Sequence, residues 1–429
     1  MRAAFYTLGC KVSQYETEAI AESFAKDGFE ICPFNEPADV YVINTCTVTA
    51  EADRKSRQII RRAKKQNPAA KVLVCGCYSQ RSPDEVAKID GIDAVVGSYG
   101  KMELLSIAKR LFLSGEREIS VTPIEDAPFE PMRITKGPRT RVYVKIEDGC
   151  ESRCTYCAIP SARGRVRSKP VDDVISEVEY LSSTGVREIV LTGIETGSYG
   201  RDLSDKCTLA DLISLLDKRK SAELIRLGSL APELCGRDFC DKIKDLKILA
   251  PHFHLSLQSG SDNVLRRMKR RYSREMAMET IKRIREAIPR ATFTTDIMVG
   301  FPGETDADFE DSVSFLREAR FLDAHVFAYS KRKDTPAASY PDQIPEDIKR
   351  KRSEILIKEA ERVKLSVMQE MIDSGECIPV IFEEKRGDMW FGHSDTYAEV
   401  TAPSDEDIHG MRLMVKPLEL DGVIVGKIL

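Results

Sequence analysis

The sequence of 429 residues has no surplus of either charge: 65 Lys and Arg stand against 69 Asp and Glu, a formal net charge of −4. This excludes a polycation that binds nucleic acid over its whole surface, so RNA binding has to depend on local basic patches. The sequence has no apolar run near the ~18 residues that span a membrane. The first residues, MRAAFYTLGC, do not have the basic segment and apolar core of a signal peptide.

Cysteine is the most informative residue type in this chain, which has twelve of them. Without an export signal they indicate a reducing compartment, and we expect a cytoplasmic protein with no membrane partner. In such a compartment, groups of cysteines more often bind metal or react than form disulfides.

The order of apolar runs predicts an α/β protein with three domains. Residues 1–110 alternate strand and helix, as in a doubly wound parallel sheet, and residues 111–138 form a proline-containing linker. Residues 139–365 contain about six β-α units, as in a partial (β/α)6 barrel. Short runs broken by glycine and proline in residues 366–429 predict a small all-β barrel or sandwich.

Individual strands and helices are predicted within these domains. A capping-box pattern, Ser13-Gln14-Tyr15-Glu16, predicts the start of the first helix. Later helices are expected at 171–184, 274–288 and 345–372. The predicted strands are 2–8, 39–44, 71–76, 142–147, 187–192, 223–228, 252–257, 292–298, 324–328, 377–383, 397–401, 411–416 and 422–428.

Three cysteines follow the first strand of the second domain with the spacing C-x3-C-x2-C: Cys150, Cys154 and Cys157. Three thiolates this close on one loop can hold three irons of a cubane cluster and leave the fourth iron without a protein ligand. A zinc loop is the alternative. Zinc sites usually have four ligands, however, and no fourth Cys or His lies nearby in the sequence.

This spacing resembles the radical S-adenosylmethionine (SAM) superfamily. The resemblance implies a [4Fe–4S] cluster, SAM on its open iron, and reductive cleavage of SAM to a 5′-deoxyadenosyl radical. The stretch Thr192-Gly-Ile-Glu-Thr-Gly197 resembles the superfamily's glycine-rich SAM-binding motif, in which small residues let the backbone approach the methionine moiety. Tyr156 stands where the superfamily has an aromatic residue near adenine, with simple packing as the alternative. The implied SAM contacts are Tyr156, Gly193, Ile194, Glu195, Thr196, Gly197, Gln258 and Ser259.

A second set of cysteines, Cys10, Cys46 and Cys77, is spread over the first domain, and each follows one of the predicted strands. In a doubly wound sheet, the loops after these strands share one edge, where ligands bind. The three thiolates therefore form a candidate site for a second cluster. Buried free cysteines are the alternative.

The whole chain resembles the methylthiotransferases through stretches spread over nearly its full length. They are Leu8-Gly-Cys-Lys-Val-Ser-Gln-Tyr-Glu16, Asn44-Thr-Cys-Thr-Val-Thr49, Gly76-Cys-Tyr-Ser-Gln80, His254-Leu-Ser-Leu-Gln-Ser-Gly-Ser-Asp262, Asp296-Ile-Met-Val-Gly-Phe-Pro-Gly-Glu-Thr305 and Tyr329-Ser-Lys-Arg-Lys-Asp-Thr-Pro-Ala337. The resemblance implies a radical SAM barrel, a C-terminal TRAM domain, and a second [4Fe–4S] cluster that takes part in sulfur delivery.

The same resemblance assigns the ligands of that second cluster to Cys10, Cys46 and Cys77. Cys77 is preferred to Cys75 because it follows Gly76 in the family's Gly-Cys pattern. The remaining cysteines are expected to be structural or incidental. They are Cys32, Cys75, Cys207, Cys235, Cys240 and Cys377.

Methylthiotransferases act on tRNA adenosines or on an aspartate of a ribosomal protein. The pattern after Cys10 most resembles the members that add a methylthio group to C2 of N6-threonylcarbamoyladenosine at position 37 of tRNA, although the family's usual Asn is Ser13 here. The tRNA anticodon loop is then the expected partner, with an electron donor and a sulfur source that the sequence does not identify.

Three other functions are weighed against this one. They are methylthiolation of isopentenyladenosine in tRNA, methylthiolation of a ribosomal-protein aspartate, and metal binding without catalysis. The last leaves the SAM-like motifs unexplained.

Local basic clusters offer RNA contacts despite the balanced charge, with a solvated helix face as the alternative for each. They lie at 54–65, 163–169 and 266–271. Residues 366–429 instead carry 5 Lys and Arg against 13 Asp and Glu, a net charge of −8. Such a domain repels phosphates, so either a local patch contacts RNA or the domain recognises something else. That patch consists of Lys385, Arg386, Arg412 and Lys416.

Overall fold

The computed structural model describes residues 1–125, 127–137 and 140–429. The chain divides into two compact units. Unit 1 consists of Met1–Thr135, Lys145–Lys169 and Ser330–Ala338, and unit 2 of Lys136–Val144, Pro170–Tyr329 and Ser339–Leu429.

The predicted boundary between linker and barrel, at 138/139, lies outside the described residues. The other predicted domain boundaries stay predictions. Among the helices in the described ranges, none combines the length and the apolar character needed to cross a membrane.

A six-stranded sheet forms the larger part of unit 1, with the spatial order β2-β1-β3-β4-β5-β6. Its strands are β1 (Arg2–Thr7), β2 (Glu30–Cys32), β3 (Val40–Thr45), β4 (Lys71–Gly76), β5 (Ala94–Val96) and β6 (Glu118–Ser120). All neighbouring strands are parallel, as predicted. The sequence did not predict β2, β5 and β6, because three residues carry too little periodicity to be recognised.

Helices cover both faces of this sheet. They are α1 (Lys11–Lys26), α2 (Ala50–Gln66), α3 (Cys77–Arg81), α4 (Pro83–Ala87) and α5 (Leu104–Ser114). Successive strand residues point to opposite faces, so Val42 packs with Phe24 of α1 on one face and Ile43 packs with Ile60 of α2 on the other. This two-sided core confirms the doubly wound prediction.

Helix α1 begins three residues earlier than the capping-box pattern predicts, since that pattern makes Ser13 the N-cap. Its N-cap residue is Cys10, with no side-chain cap. Glu16 is fully buried inside the helix. The capping-box prediction is wrong because the Glu16 carboxylate pairs with buried cations instead of helix amides.

Next along the chain comes β7 (Arg141–Lys145), followed in unit 1 by β8 (Glu147–Asp148), α6 (Ile159–Arg163) and β9 (Arg167–Ser168). Strands β8 and β9 are antiparallel. The loop between β8 and α6 carries the C-x3-C-x2-C cysteines.

Two sheets form the first part of unit 2, in the orders β11-β10-β7 and β12-β13-β14-β15. The additional strands are β10 (Glu188–Thr192), β11 (Leu224–Leu227), β12 (Ser229–Leu230), β13 (His252–Gln258), β14 (Thr292–Val299) and β15 (Asp323–Ala328). All six predicted barrel strands are present. Strands β10 and β11 are parallel to each other, as are all neighbours in the second sheet.

Seven helices alternate with these strands in the described part of unit 2. They are α7 (Val171–Ser183), α8 (Leu209–Arg219), α9 (Arg237–Ile243), α10 (Asp262–Arg267), α11 (Arg274–Ala287), α12 (Asp306–Ala319) and α13 (Glu346–Asp373). The predicted helices at 171–184, 274–288 and 345–372 correspond to α7, α11 and α13. Capping boxes that begin at Thr208 and Thr305 open α8 and α12.

A closed five-stranded barrel ends the chain, in the order β16-β17-β18-β20-β19. Its strands are β16 (Ile378–Arg386), β17 (Met389–Ser394), β18 (Glu399–Pro403), β19 (Arg412–Asp421) and β20 (Val423–Ile428). Val380, Trp390 and Val415 lie in its core. The predicted small all-β barrel is confirmed. The sequence did not predict β17, because Trp390, Phe391 and Gly392 are buried in succession and break the alternation.

Candidate functional site

The three N-terminal cysteines follow the carboxyl ends of three strands that are adjacent in the sheet, β1, β3 and β4. Cys46 and Cys77 are buried, and Cys10 is exposed. Burial, together with the neighbouring thiols of Cys77 and Cys10, raises the pKa of Cys46 to about 12. The backbone N–H of Val48 donates to the Cys46 sulfur at 3.5 Å. The fold therefore brings together three thiols that are widely separated in sequence.

The other cysteine set, Cys150, Cys154 and Cys157, lies on the loop between β8 and α6. The Ser152 N–H donates to the Cys150 sulfur at 3.5 Å, and the Ile159 N–H donates to the Cys157 sulfur at 3.4 Å. Cys154 is buried, whereas Cys150 and Cys157 are half-buried. Hydrogen bonds from N–H groups to ligand sulfurs are a regular feature of iron–sulfur sites.

A glycine precedes a cysteine in each set and adopts a left-handed conformation, with φ of 101° at Gly76 and 86° at Gly149. A Cβ atom at Gly76 would overlap the Thr45 backbone, and one at Gly149 would overlap the Arg165 carbonyl oxygen. Only glycine adopts this conformation readily. The backbone therefore needs glycine directly before Cys77 and directly before Cys150.

The donor chemistry of both cysteine sets fits a four-iron cluster. Within the described ranges, no three Cys, His, Asp or Glu side chains lie close enough together to hold one ion. A cubane cluster takes each thiolate on a different iron, so its ligands lie further apart. Each set contains only thiols and has three of them, which would leave one iron open for another ligand.

A buried charge network in unit 1 centres on Glu16. Its carboxylate lies 2.5 Å from Arg163, 2.5 Å from Lys101 and 2.8 Å from Lys145. Asp148 pairs with Lys145 at 2.6 Å and with Arg163 at 3.2 Å. Burial opposes ionisation of Glu16, but Arg163, Lys101 and Lys145 outweigh it and hold the pKa of that carboxyl well below its usual range.

Arg163 joins this network to the N-terminal cysteines, because its Nε donates to the Cys77 sulfur at 3.2 Å. Arg163, Arg167 and Lys169 are all buried. Of the basic cluster predicted at 163–169, only Arg165 is exposed, so the cluster is not an extended surface patch. The positive charge of the three buried residues lies in the interior of unit 1, where it cannot contact RNA phosphates.

The segment Ser330–Ala338 of unit 1 holds both cysteine loops. Arg332 donates to the Thr47 hydroxyl at 2.7 Å, next to Cys46. The Ala337 N–H donates to the Thr155 carbonyl oxygen at 2.9 Å, within the Cys150–Cys157 loop. The family resemblance included this stretch, but no pattern in the sequence predicted its contacts.

Most of the predicted SAM contacts lie in unit 2, after β10. Glu195 is buried, and its Oε1 accepts a hydrogen bond from the Ala231 N–H at 3.0 Å. Burial raises the pKa of Glu195 to about 7, against the opposing effect of Arg270. Gly197 lines a cavity of about 500 Å³ whose wall also includes Glu233. Cavities of this size are typical of small-molecule sites.

The other predicted SAM contacts differ in their environments. Thr196 is buried, and Gly193 and Ile194 are half-buried. Tyr156 is half-buried in the cysteine loop of unit 1. Ser259 is buried, and its hydroxyl lies 3.3 Å from that of Ser312.

Gln258 ends β13 with φ at 71°, a conformation that residues other than glycine rarely adopt. Its side chain is only 8% exposed. Among the residues that the structure describes, its amide has no hydrogen-bond partner. Strained backbone of this kind concentrates at binding sites, which makes Gln258 a stronger candidate contact than Ser259.

The chain is similar to known proteins over nearly its whole length. The Radical SAM superfamily profile matches residues 144–316, and that of uncharacterized protein family UPF0004 matches residues 2–97. Threonylcarbamoyladenosine tRNA methylthiotransferase MtaB from Bacillus subtilis (strain 168) is 39% identical over 97% of this chain and 93% of its own length. The tRNA-2-methylthio-N(6)-dimethylallyladenosine synthase of Carboxydothermus hydrogenoformans is 33% identical over 98% of both chains.

Solved structures support the fold alone. The radical S-adenosylmethionine methyltransferase TsrM from Kitasatospora setae superposes with a TM-score of 0.56 at 16% identity, over 79% of this chain and 75% of that chain. The α/β architecture is therefore shared with an enzyme of distant sequence.

Proposed function

Because the chain belongs to the methylthiotransferase family of radical SAM enzymes, we propose that it adds a methylthio group to C2 of N6-threonylcarbamoyladenosine at position 37 of tRNA. The observation that carries this proposal is 39% identity over 97% of the chain to a relative named for that nucleoside. Identity to a relative named for the dimethylallyl nucleoside is 33% over a similar length.

Two [4Fe–4S] clusters and SAM are the cofactors of this reaction. We assign one cluster to Cys150, Cys154 and Cys157, because their loop points backbone N–H groups at two of the sulfurs. When bound, this cluster supplies the electron that cleaves SAM, which provides the radical chemistry needed at an unreactive C–H bond. The open iron is the proposed position of SAM.

We assign the second cluster to Cys10, Cys46 and Cys77, with a role in sulfur delivery. The convergence of these thiols after β1, β3 and β4 supports the assignment. Cys75 is unsuited, because its side chain packs in the apolar core between the sheet and α1 and α5. Sulfur source and electron donor are not assigned.

The proposed SAM contacts are Tyr156, Gln258, Ser259 and the segment Gly193–Gly197. Gln258 contributes an amide that has no partner in the described protein, and Glu195 contributes a buried carboxyl with a pKa of about 7. A cationic ligand favours the ionised form of a carboxyl with that pKa, and SAM carries a positive charge on its sulfonium centre.

The proposed RNA partner is the tRNA anticodon loop, whose bases can be splayed out and read individually. Helix α2 presents an exposed basic face that suits RNA phosphates. Since tRNA is the proposed substrate, we also propose a cytoplasmic location.

A side-by-side turnover assay tests the substrate. Reconstituted enzyme is given tRNA with N6-threonylcarbamoyladenosine, tRNA with isopentenyladenosine, or the ribosomal protein, and the products are identified by mass spectrometry. We expect turnover of the first. A site built for a polar threonyl group leaves its donors unpaired when an apolar group enters, which can lower the rate by several powers of ten. Equal turnover of both tRNAs, or methylthiolation of the protein, contradicts the proposal.

A further inference from the structure

The Arg163 guanidinium uses all five of its N–H donors. Nε donates to the Cys77 sulfur at 3.2 Å. Nη1 and Nη2 donate to the two oxygens of Glu16 at 2.5 and 3.1 Å. The two remaining donors reach Asp148 at 3.2 Å and the Ser13 hydroxyl at 3.4 Å. The orientation of the side chain is therefore fixed on every edge.

Arg163 is a permanent cation at a fully buried position. Burial disfavours its charge, but interactions with Cys77, Glu16 and Asp148 raise the pKa of Arg163 well above its usual value. Glu16 is in turn held by Lys101 and Lys145. The guanidinium of Arg163 is thus held by carboxylates. The direction of its Nε–H, which faces Cys77, is therefore set by these carboxylates and does not depend on the cysteine.

The position of Arg163 in the chain connects it to the other cysteine set. It is the last residue of α6, the helix that follows the Cys150–Cys157 loop. Its partner Asp148 accepts a hydrogen bond from the Gly149 N–H at 2.9 Å, directly before that loop. One side chain therefore contacts elements that carry both cysteine sets, all within unit 1.

The three N-terminal thiols differ in their donors. Cys46 receives a backbone N–H from Val48 at 3.5 Å, and Cys10 lies 3.8 Å from the Ser13 hydroxyl. In the described part of the chain, only Cys77 receives a donor that carries a charge. Charge-assisted hydrogen bonds are roughly twice as strong as neutral ones.

We propose that Arg163 is a positioning residue that fixes the Cys77 sulfur and raises the reduction potential of the cluster held by Cys10, Cys46 and Cys77. Hydrogen bonds to ligand sulfurs and nearby positive charge stabilise the reduced, more negative form of a cluster. The inference rests on the ligand role of Cys77 within the proposed function and is independent of the proposed tRNA substrate.

The test compares Arg163→Gln with Arg167→Gln. Both changes remove one positive charge from the same network, because Arg167 lies 3.5 Å from Asp148. Arg167 donates to the Arg163 carbonyl oxygen at 2.7 Å and, among the described residues, to no cysteine. Each change is made in full-length protein with Ala at Cys150, Cys154 and Cys157, so that the remaining signal reports the cluster held by Cys10, Cys46 and Cys77. The midpoint potential is measured by anaerobic titration followed by electron paramagnetic resonance.

We expect Arg163→Gln to lower the ratio of reduced to oxidised cluster at the unchanged protein's midpoint about tenfold, a shift of about 59 mV for one electron. Arg167→Gln should shift the midpoint by less than half as much. Arg163→Lys, which keeps the charge but loses the planar fork, should lie between them. Equal shifts in the two Gln variants, or none in Arg163→Gln, overturn the proposal.

Iron content keeps the test decisive if Arg163→Gln does not hold a cluster. Loss of iron from a folded Arg163→Gln chain, with iron retained by Arg167→Gln, supports the positioning role. Equal loss in both variants overturns it. Cys77→Ala tests the ligand assignment separately: full iron in that variant would refute the proposed role of Cys77 itself.

Discussion

Glu16 is a fully buried carboxylate that three cations share, and its removal leaves those cations without their common partner. We expect Glu16→Gln to destabilise unit 1 by at least about 3 kcal/mol, the cost of breaking a buried ion pair. For a unit of this size, that corresponds to a fall of roughly 6 °C or more in the thermal midpoint. The measurement is anaerobic thermal unfolding followed by circular dichroism.

The pH dependence of this contribution has a defined sign. The pKa of Glu16 is lower in the folded protein than in the unfolded chain, so its stabilising effect is present above the unfolded pKa and is lost as pH falls through the folded one. Glu51→Gln is the control, since Glu51 pairs with Arg54 on the exposed face of α2. A midpoint that moves equally in both variants would contradict the role given to Glu16.

The contribution of Glu195 to stability changes with pH in the opposite direction, because burial raises the pKa of Glu195 to about 7. The folded state holds a proton there that the unfolded state releases, so stability falls as pH rises from about 4.5 to 7. In protein without SAM, Glu195→Gln should therefore have a higher thermal midpoint than the unchanged protein at pH 8 and an equal one at pH 5. The same difference at both pH values would disprove this account.

Glu359 provides a control of reversed sign in the same experiment. Hydrogen bonds from Arg317 and Arg362 hold the pKa of Glu359 at about 2. Glu359→Gln should lower the thermal midpoint at pH 8, or leave it unchanged if water screens the pair. An increase at pH 8 would mean that the Gln substitution itself stabilises the chain.

Helix α2 is the element with the clearest surface role. Lys55, Arg61, Arg62 and Lys65 are exposed on one face of it, and in the described ranges none forms an ion pair with a carboxylate. Other cations of this helix are neutralised, such as Arg54 by Glu51 and Lys64 by Asp93. The basic cluster predicted at 54–65 therefore contains one row of exposed cations that form no ion pairs in the described ranges.

Replacing those four residues of α2 with Ala should weaken tRNA binding. Phosphate contacts release counterions, so the slope of log affinity against log salt should become shallower by about one for each phosphate that the variant no longer neutralises. Fluorescence anisotropy with labelled tRNA at several salt concentrations measures both quantities. Arg317→Ala with Arg362→Ala is the control, because Glu359 already pairs with both arginines. An unchanged slope in the α2 variant would remove this helix from the RNA surface.

Iron content tests the whole molecule's division into two cluster sites. Anaerobically reconstituted protein should hold about eight irons, as two four-iron clusters require. Replacing Cys150, Cys154 and Cys157 with Ala should leave roughly half, since the other three ligands follow separate strands of the sheet. If this variant loses all of its iron, or loses no iron, the two sites are not independent.

Catalysis should divide along the same line. A chain with Ala at Cys10, Cys46 and Cys77 should still cleave SAM to 5′-deoxyadenosine under reduction, yet form no methylthio product. The cysteine loop between β8 and α6 is complete in that variant, which is why cleavage should survive. Loss of SAM cleavage in a folded variant would contradict separate roles for the two sets.

Local patterns were sufficient for the parts of this protein that depend on nearby residues. The spacing of Cys150, Cys154 and Cys157 lies within one loop, and longer strands such as β3 and β4 are nearly continuous apolar runs, so both can be read directly. The position of Cys10, Cys46 and Cys77 after parallel strands also predicts one shared edge. Edge strands of three residues, such as β2, carry no such pattern.

Tertiary structure alone decided what the charged residues do. Glu16 fits a capping box and Arg163 fits a basic surface cluster by sequence, yet the two residues, 147 positions apart, form one buried ion pair. Ser330–Ala338 is far from both cysteine loops in sequence, yet it contacts both of them in the folded protein. The partner of a charged residue is known only from the folded structure, because burial and pairing depend on contacts between residues that are distant in sequence. Periodicity and spacing, in contrast, are properties of neighbouring residues and can be read from the sequence.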